Sequence, residues 1–154
     1  MPSLVIKVKT SITARQFLDA LTNFEVDRGA VWGNSQSSHL IVHEVGADMA
    51  DVTEGSKIFG GVWERLRYDW SNPACIELRT TESNVWANGS GWRYEIEELK
   101  NGSGTLIIAT VTRFPNSKKG YLLLLFVGSI GKPLIKRGFW QTIRTIERRN
   151  QMNA

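Results

Sequence analysis

The segment from Lys118 to Asn150 constrains the fold most, because it carries more apolar surface than a lone helix can leave in water. It opens with the uncharged run Gly120-Tyr121-Leu122-Leu123-Leu124-Leu125-Phe126-Val127 and breaks at Gly128-Ser129-Ile130-Gly131-Lys132-Pro133. It continues as Leu134, Ile135, Phe139, Ile143 and Ile146, with basic residues between them. Steps of four, four and three from Ile135 are helical spacing. The first half is apolar nearly all round, so as a helix it calls for cover on several sides. Pro133 lacks a donor and clashes with the preceding turn, so a kink is expected there. Such a kink either lets the front half swing as a lid or lets the helix follow a curved surface. The rest of the chain reads largely as strands. The expectation is a long, kinked helix held in the hollow of a curved antiparallel sheet.

Leu4 to Lys9 reads as a first strand. Thr13-Ala14-Arg15-Gln16 has the form of a capping box, and Phe17, Leu18, Leu21 and Phe24 share a face, so a helix is expected from about Ala14 to Asn23. Val31 and Trp32, between Gly29 and Gly33, suggest a second short helix, and Asn34 to Ser38 a polar loop. Leu40–Val45 is a strand candidate, and Ala50–Gly55 is either a strand or a connection. Val62–Trp70 is the clearest strand, with Val62, Glu64, Leu66, Tyr68 and Trp70 on one face. Ala74–Thr80 returns after a turn at Ser71-Asn72-Pro73. Pairing Trp70 with Ala74 places Tyr68 by Ile76, Leu66 by Leu78, Arg67 by Glu77 and Glu64 by Thr80. A short strand is expected at Asn84–Ala87. Trp92–Glu98 alternates, Asn101-Gly102 signals a hairpin, and Thr105–Phe114 is apolar on both faces, as a central or covered strand would be. About six or seven strands and two short helices after the first strand make an α+β chain.

At 154 residues the chain is long enough for a real core and is most simply one domain, 1–154. The lone Cys75 excludes an internal disulfide and cysteine-rich metal motifs. His39 and His43 sit four apart with no carboxylate cluster to complete a site, so neither metal nor cofactor is expected. There is no Ser-His-Asp signature and no glycine-rich phosphate motif. The N-terminus lacks the charged head and long apolar run of a signal peptide, and the run from Tyr121 to Ile130 is too short to span a bilayer, so a cytoplasmic setting is expected. Net charge is +4, and from Lys118 onward eight Lys or Arg residues face one acid, Glu147. That asymmetry fits nucleic acid, an anionic membrane surface, or the solvated face of an amphipathic helix whose C-terminal dipole favours cations.

The order of elements resembles the helix-grip fold of the START and birch-pollen-allergen superfamily. Within it, the chain is similar to the polyketide cyclase/dehydrase and lipid-transport (SRPBCC) group. The resemblance is carried by Phe17-Leu18-Asp19-Ala20-Leu21-Thr22-Asn23, Val31-Trp32-Gly33-Asn34, Ala50 to Ser56, Gly61 to Ser71 and Ser83-Asn84-Val85, and looks most like uncharacterised actinobacterial members. It implies a deep cavity between sheet and terminal helix that takes a hydrophobic small molecule, lipid or polyketide-like.

The strand and helix faces agree with such a cavity. Leu66, Ile76, Leu78, Trp92 and Ile96 would face Leu123, Phe126, Ile135 and Phe139, with Trp70 as wall or plain core. Glu64 on the apolar face suits general acid/base work or a ligand hydroxyl if buried; otherwise it sits at the rim, bonded to Thr80 or solvent. Tyr68 and Tyr94 either present hydroxyls to a ligand or are core aromatics. Three functions remain open. A carrier of an apolar metabolite leads; a cyclase or aromatase would use Glu64 with Tyr68 or Tyr94; a membrane-surface protein would dock through Tyr121–Val127 and the basic residues. The expected partner is a hydrophobic small molecule, with peripheral contact to an anionic membrane as a further expectation and no nucleic acid.

Overall fold

The computed structural model describes residues 3–33 and 35–153. Strand β1 (Ser3–Thr10) is followed by helices α1 (Ala14–Leu21) and α2 (Arg28–Val31). Six strands come next: β2 (Ile41–Val45), β3 (Met49–Ser56), β4 (Val62–Asp69), β5 (Cys75–Ser83), β6 (Gly91–Glu98) and β7 (Thr105–Thr112). The terminal helix runs as α3 (Lys118–Phe126), a π-turn (Val127–Gly131) and α4 (Lys132–Met152). The strands form one antiparallel sheet in the order β1-β7-β6-β5-β4-β3-β2. The expected α+β architecture is therefore present, with Ala50–Gly55 inside a strand and β7 flanked on both sides. Asn34, at the head of the expected loop 34–38, lies outside the described residues.

Local chemistry sets the helix ends. The Thr13 hydroxyl accepts from the Gln16 amide at 3.0 Å and the Gln16 side chain accepts from the Thr13 amide at 2.9 Å, the reciprocal capping box read from the sequence. The helix stops short of Asn23, where the Thr22 hydroxyl donates to the Leu18 carbonyl. His39 ends a short turn and His43 lies at a bulge on edge strand β2, bonded to Thr53, so the two are not on one strand face.

From Leu66 to Asp69 the β4–β5 register is two residues wider than expected, and a bulge between Arg65 and Leu66 then sets Glu64 opposite Ser83 rather than Thr80. Tyr68 pairs with Leu78, Leu66 with Thr80, and Arg67 with Arg79 rather than Glu77. The cause is the turn. The Trp70 indole donates to the Ala47 carbonyl and its amide to Asp48, so Trp70 is drawn to the β2–β3 connection instead of to Ala74. A two-residue slip keeps every side chain on its face, so the apolar pattern survives it. Asn84–Ala87 is not a strand: a single bridge joins Trp86 to Pro115, and Asn116 and Ser117 hold the Asn84 and Val85 carbonyls.

One face of the sheet packs Val8, Val52, Leu66, Ile76 and Ile107 against Phe17 and Leu21 of α1 and Phe139, Ile143 and Ile146 of α4. Burying each such side chain contributes about 1.5–3 kcal/mol. The break in the terminal helix falls within the expected Gly128–Pro133 stretch but not at its proline. It is the π-turn, where the Ser129 hydroxyl donates to the Leu125 and Phe126 carbonyls. Pro133 falls in the first turn of α4, where a missing donor is harmless. The other expectation for this segment is corrected: α3 is not covered on several sides, and Gly120 is its buried residue.

Gly120 shows how α3 is seated. A Cβ there would lie 2.2 Å from the Val85 carbonyl oxygen. Alanine favours a helix over glycine by about 1 kcal/mol, so propensity and contact oppose each other. Gly120→Ala is expected to lower stability by about 1–3 kcal/mol in urea unfolding, the overpacking term outweighing the propensity gain.

Candidate functional site

Between the inner face of the sheet and the terminal helix lies a cavity of about 1570 Å³. Leu66 and Tyr68 come from β4, Leu78 from β5, Trp92 and Tyr94 from β6 and Val111 from β7. Leu124, Val127, Ile135 and Phe139 face them from the helix, and Arg28 and Trp32 close one side. Trp92, Tyr94 and Phe139 stack in sequence, with centroids 5.9 Å and 6.1 Å apart, as a continuous aromatic wall.

Two carboxylates stand side by side on this inner face. Glu54 on β3 is paired directly with Glu64 on β4, which sets like charges about 5 Å apart at Cβ. Both side chains are buried, and each has its own arginine.

Glu54 belongs to a tight cluster. Arg28 Nε donates to Glu54 Oε1 at 2.7 Å and to Ser35 at 3.1 Å, and Ser35 donates to the same oxygen at 2.6 Å. Arg28 Nη1 donates to the Leu21 and Asn23 carbonyls, and Nη2 to the Tyr68 hydroxyl at 2.9 Å. Tyr68 donates to Glu54 Oε2. The rings of Phe24, Trp32 and Tyr68 surround the guanidinium at 4.8, 5.7 and 6.0 Å. Four of the five guanidinium N–H donors are thus engaged. This cluster ties α1, α2, β3 and β4 together. Burial pulls the Arg28 pKa down, but Tyr68 and Glu54 outweigh it and hold it above the usual arginine value.

Glu64 is held differently. Arg113 grips it with both arms, Nη1 to Oε2 at 2.8 Å and Nη2 to Oε1 at 3.1 Å, and Thr80 donates to Oε2 at 2.9 Å. The Arg113 guanidinium lies over Trp86 at 5.2 Å and Trp92 at 5.9 Å. Glu64 accounts for two of its five donors, and Arg113 borders the cavity. The arginine therefore stands between Glu64 and the space where a ligand would lie.

Of the residues read from sequence, Leu66, Tyr68, Leu78, Trp92, Tyr94, Ile135 and Phe139 border the cavity. The others lie off its wall. Glu64 sits behind Arg113. Trp70 is drawn to Ala47, Ile76 and Ile96 pack in the core, Phe126 packs edge-on against Phe59 at 5.6 Å, and Leu123 is half-buried on α3. Burial pushes the Tyr68 hydroxyl well up, with Glu54 adding to it, and burial likewise raises Tyr94. Both are neutral donors at physiological pH rather than bases. The Tyr94 hydroxyl has no partner among the described residues.

Arg28, Glu54 and Arg113 escaped the sequence reading. Glu54 continues the inward parity of Ala50 and Val52, and Arg113 that of Ile107, Ala109 and Val111, so alternation alone could have flagged both. Arg28 carries no such signal. Among the described residues, no group of three or more His, Cys, Asp or Glu is placed to hold a metal, and no helix is long and apolar enough to cross a membrane.

The architecture is a helix-grip fold, a seven-stranded antiparallel sheet with a long terminal helix laid across its inner face. No family model and no curated protein matches the sequence. Among solved structures, the chain resembles a protein of Thermus thermophilus at a TM-score of 0.71 and 12% identity, covering 99% of each chain. It resembles the Zhui aromatase/cyclase of a Streptomyces species at 0.74 and 11%, covering 96% of this chain and 94% of that one. It resembles a START superfamily protein of Mycobacterium smegmatis at 0.64 and 9%, covering 99% of each. At these identities the likeness is one of fold.

Breaking a buried ion pair from one side leaves the other charge uncompensated. Glu54→Gln is expected to destabilise the protein by about 3–5 kcal/mol in urea unfolding. Glu64→Gln should cost less, because Arg113 has the cavity to turn into.

Proposed function

We propose that this protein binds a mainly hydrophobic small molecule bearing an oxygen function, lipid or polyketide-like, and carries or presents it. The observation that carries this reading is the roughly 1570 Å³ cavity, larger than the ~300–1,000 Å³ of ordinary ligand pockets and walled by stacked aromatic and aliphatic side chains. The polar groups on the wall divide by how far their bonding is already filled. The Arg28 cluster is nearly closed and serves as structure. Arg113 and the Tyr94 hydroxyl keep unused capacity and are the groups to meet a ligand carbonyl, hydroxyl or carboxylate. The wall carries Arg28, Arg113, Lys132, Arg137, Arg144 and Arg148 against the single acid Glu54, a bias toward electron-rich or anionic heads.

Titration with the neutral dye N-phenyl-1-naphthylamine should give saturable fluorescence that a long-chain fatty acid displaces. Leu66→Trp or Leu78→Trp should abolish it by filling the cavity. Arg113→Gln should weaken the fatty acid by about tenfold or more while sparing the dye, one charge-assisted hydrogen bond being worth about 1.5–3 kcal/mol. Failure of the dye to bind, together with no lipophilic passenger in native mass spectra of the protein as purified from its source, would remove this reading.

A second reading is a ring-closing enzyme of the cyclase or aromatase type, favoured by the open donors of Arg113 and Tyr94 on the cavity wall. Here Glu64 fixes the Arg113 fork, while Tyr94 acts as a neutral donor; the Tyr68 proton is already given to Glu54. If so, Glu64→Gln should reduce turnover of a linear poly-β-ketone substrate by at least about a hundredfold with dye affinity retained; equal loss of both would speak against catalysis.

A further inference from the structure

The front of the terminal helix is apolar and in water. Tyr121, Leu122 and Leu125 are 62, 68 and 70% exposed, and Ile130 and Leu134 beyond them 64 and 57%. Beside them a short turn holds out Ile58 and Phe59, more than half exposed, with Phe59 in the left-handed backbone region at φ 51°. The Phe59 ring meets Phe126 edge-on, so turn and helix make one continuous surface. Left in water, an apolar face of this size marks a contact surface.

The charge around this face says what covers it. Lys118, Lys132 and Lys136 flank the apolar residues and are exposed, and no acid occurs from Lys118 to Ile146. Lys119 is spent on the Gly61 carbonyl at 2.6 Å, fixing the turn to α3. Apolar side chains ringed by cations, with an aromatic at the edge, complement a negatively charged lipid surface. A protein partner for this face would have to be apolar and acidic at once, and the face carries no acid to bond such a partner's own cations.

We propose that α3, the π-turn and the Ile58–Phe59 turn seat the protein on an anionic lipid bilayer. Tyr121, Leu125 and Ile58 also border the cavity, so the cavity reaches this same face. A molecule dissolved in the bilayer then reaches the cavity without crossing water. The π-turn adjoins this exposed stretch. This goes beyond the ligand-binding reading and is tested separately from it.

The test is co-sedimentation with phosphatidylcholine vesicles and with vesicles that also contain phosphatidylglycerol. The protein should pellet with the second at low salt, not with the first, and be released as salt rises. Lys118→Gln with Lys136→Gln should weaken partition by roughly thirtyfold, at about 1 kcal/mol per cation near the surface. Leu122→Asp with Ile130→Asp, neither of which borders the cavity, should abolish pelleting while dye binding and circular dichroism stay as in wild type. No pelleting with anionic vesicles at low salt overturns the proposal, as does equal pelleting with neutral ones or wild-type pelleting by the Asp variant. A concentration-dependent dimer in analytical ultracentrifugation that the Asp variant dissolves overturns it as well, because a second copy would then own the face. Loss of dye binding in the wild type would fail the ligand reading alone.

Discussion

The terminal helix covers the inner face of the sheet, but it sits down firmly only near its two ends. At the front, Gly120 allows α3 to press on the Val85 carbonyl. At the back, Phe139, Ile143 and Ile146 are locked into the core. Between them Leu124 and Val127 border open space that Leu66, Leu78 and Tyr94 also line, while Ile135 borders it and packs on the core as well. The sheet must bury its apolar face, and a rod laid over a curved wall does so at the contacts while leaving a hollow between. The cavity and its wall both follow from that geometry.

Polar groups in such a hollow need support. Glu54 and Glu64 lie opposite each other on adjacent strands, an arrangement that like charges disfavour. The fold resolves it with two arginines from different places, Arg28 from α2 and Arg113 just past the end of β7. The results are unequal. Arg28 is wrapped by carbonyls, Ser35, Tyr68 and three aromatic rings, and behaves as a fastening between the helices and the sheet. Arg113 is held on one side and open on the other. The donors left free toward the cavity belong to the second pair, while the first ties the helices to the sheet.

Much of this was legible in the chain. The capping box at Thr13, the alternation of β4 and β6, and the helical spacing from Ile135 each rest on local rules that the fold obeys. The β4–β5 register was not, because turn length depends on Trp70 finding Ala47, a contact made only after β2 and β3 have come together. Glu64 was singled out for its apolar face, and Glu54 on the next strand escaped notice although it obeys the same parity. The uncharged run after Gly120 was expected to be covered all round. Hydrophobicity says that a surface avoids water, and nothing in the run says whether protein or another apolar phase provides the cover.

The sequence by itself determined the inventory and the faces: six or seven strands in antiparallel succession, two short helices, a broken terminal helix, and an aromatic side to the sheet. Those depend on period, capping and turn residues within a few positions of one another. Only the tertiary structure decided which carboxylate met which arginine, what form the helix break took, and which side of α3 was left in water. These pairings join residues far apart in the chain, Arg28 with Glu54, Glu64 with Arg113 and Gly120 with Val85. Their geometry exists only once the sheet has curved and the helix has been laid across it.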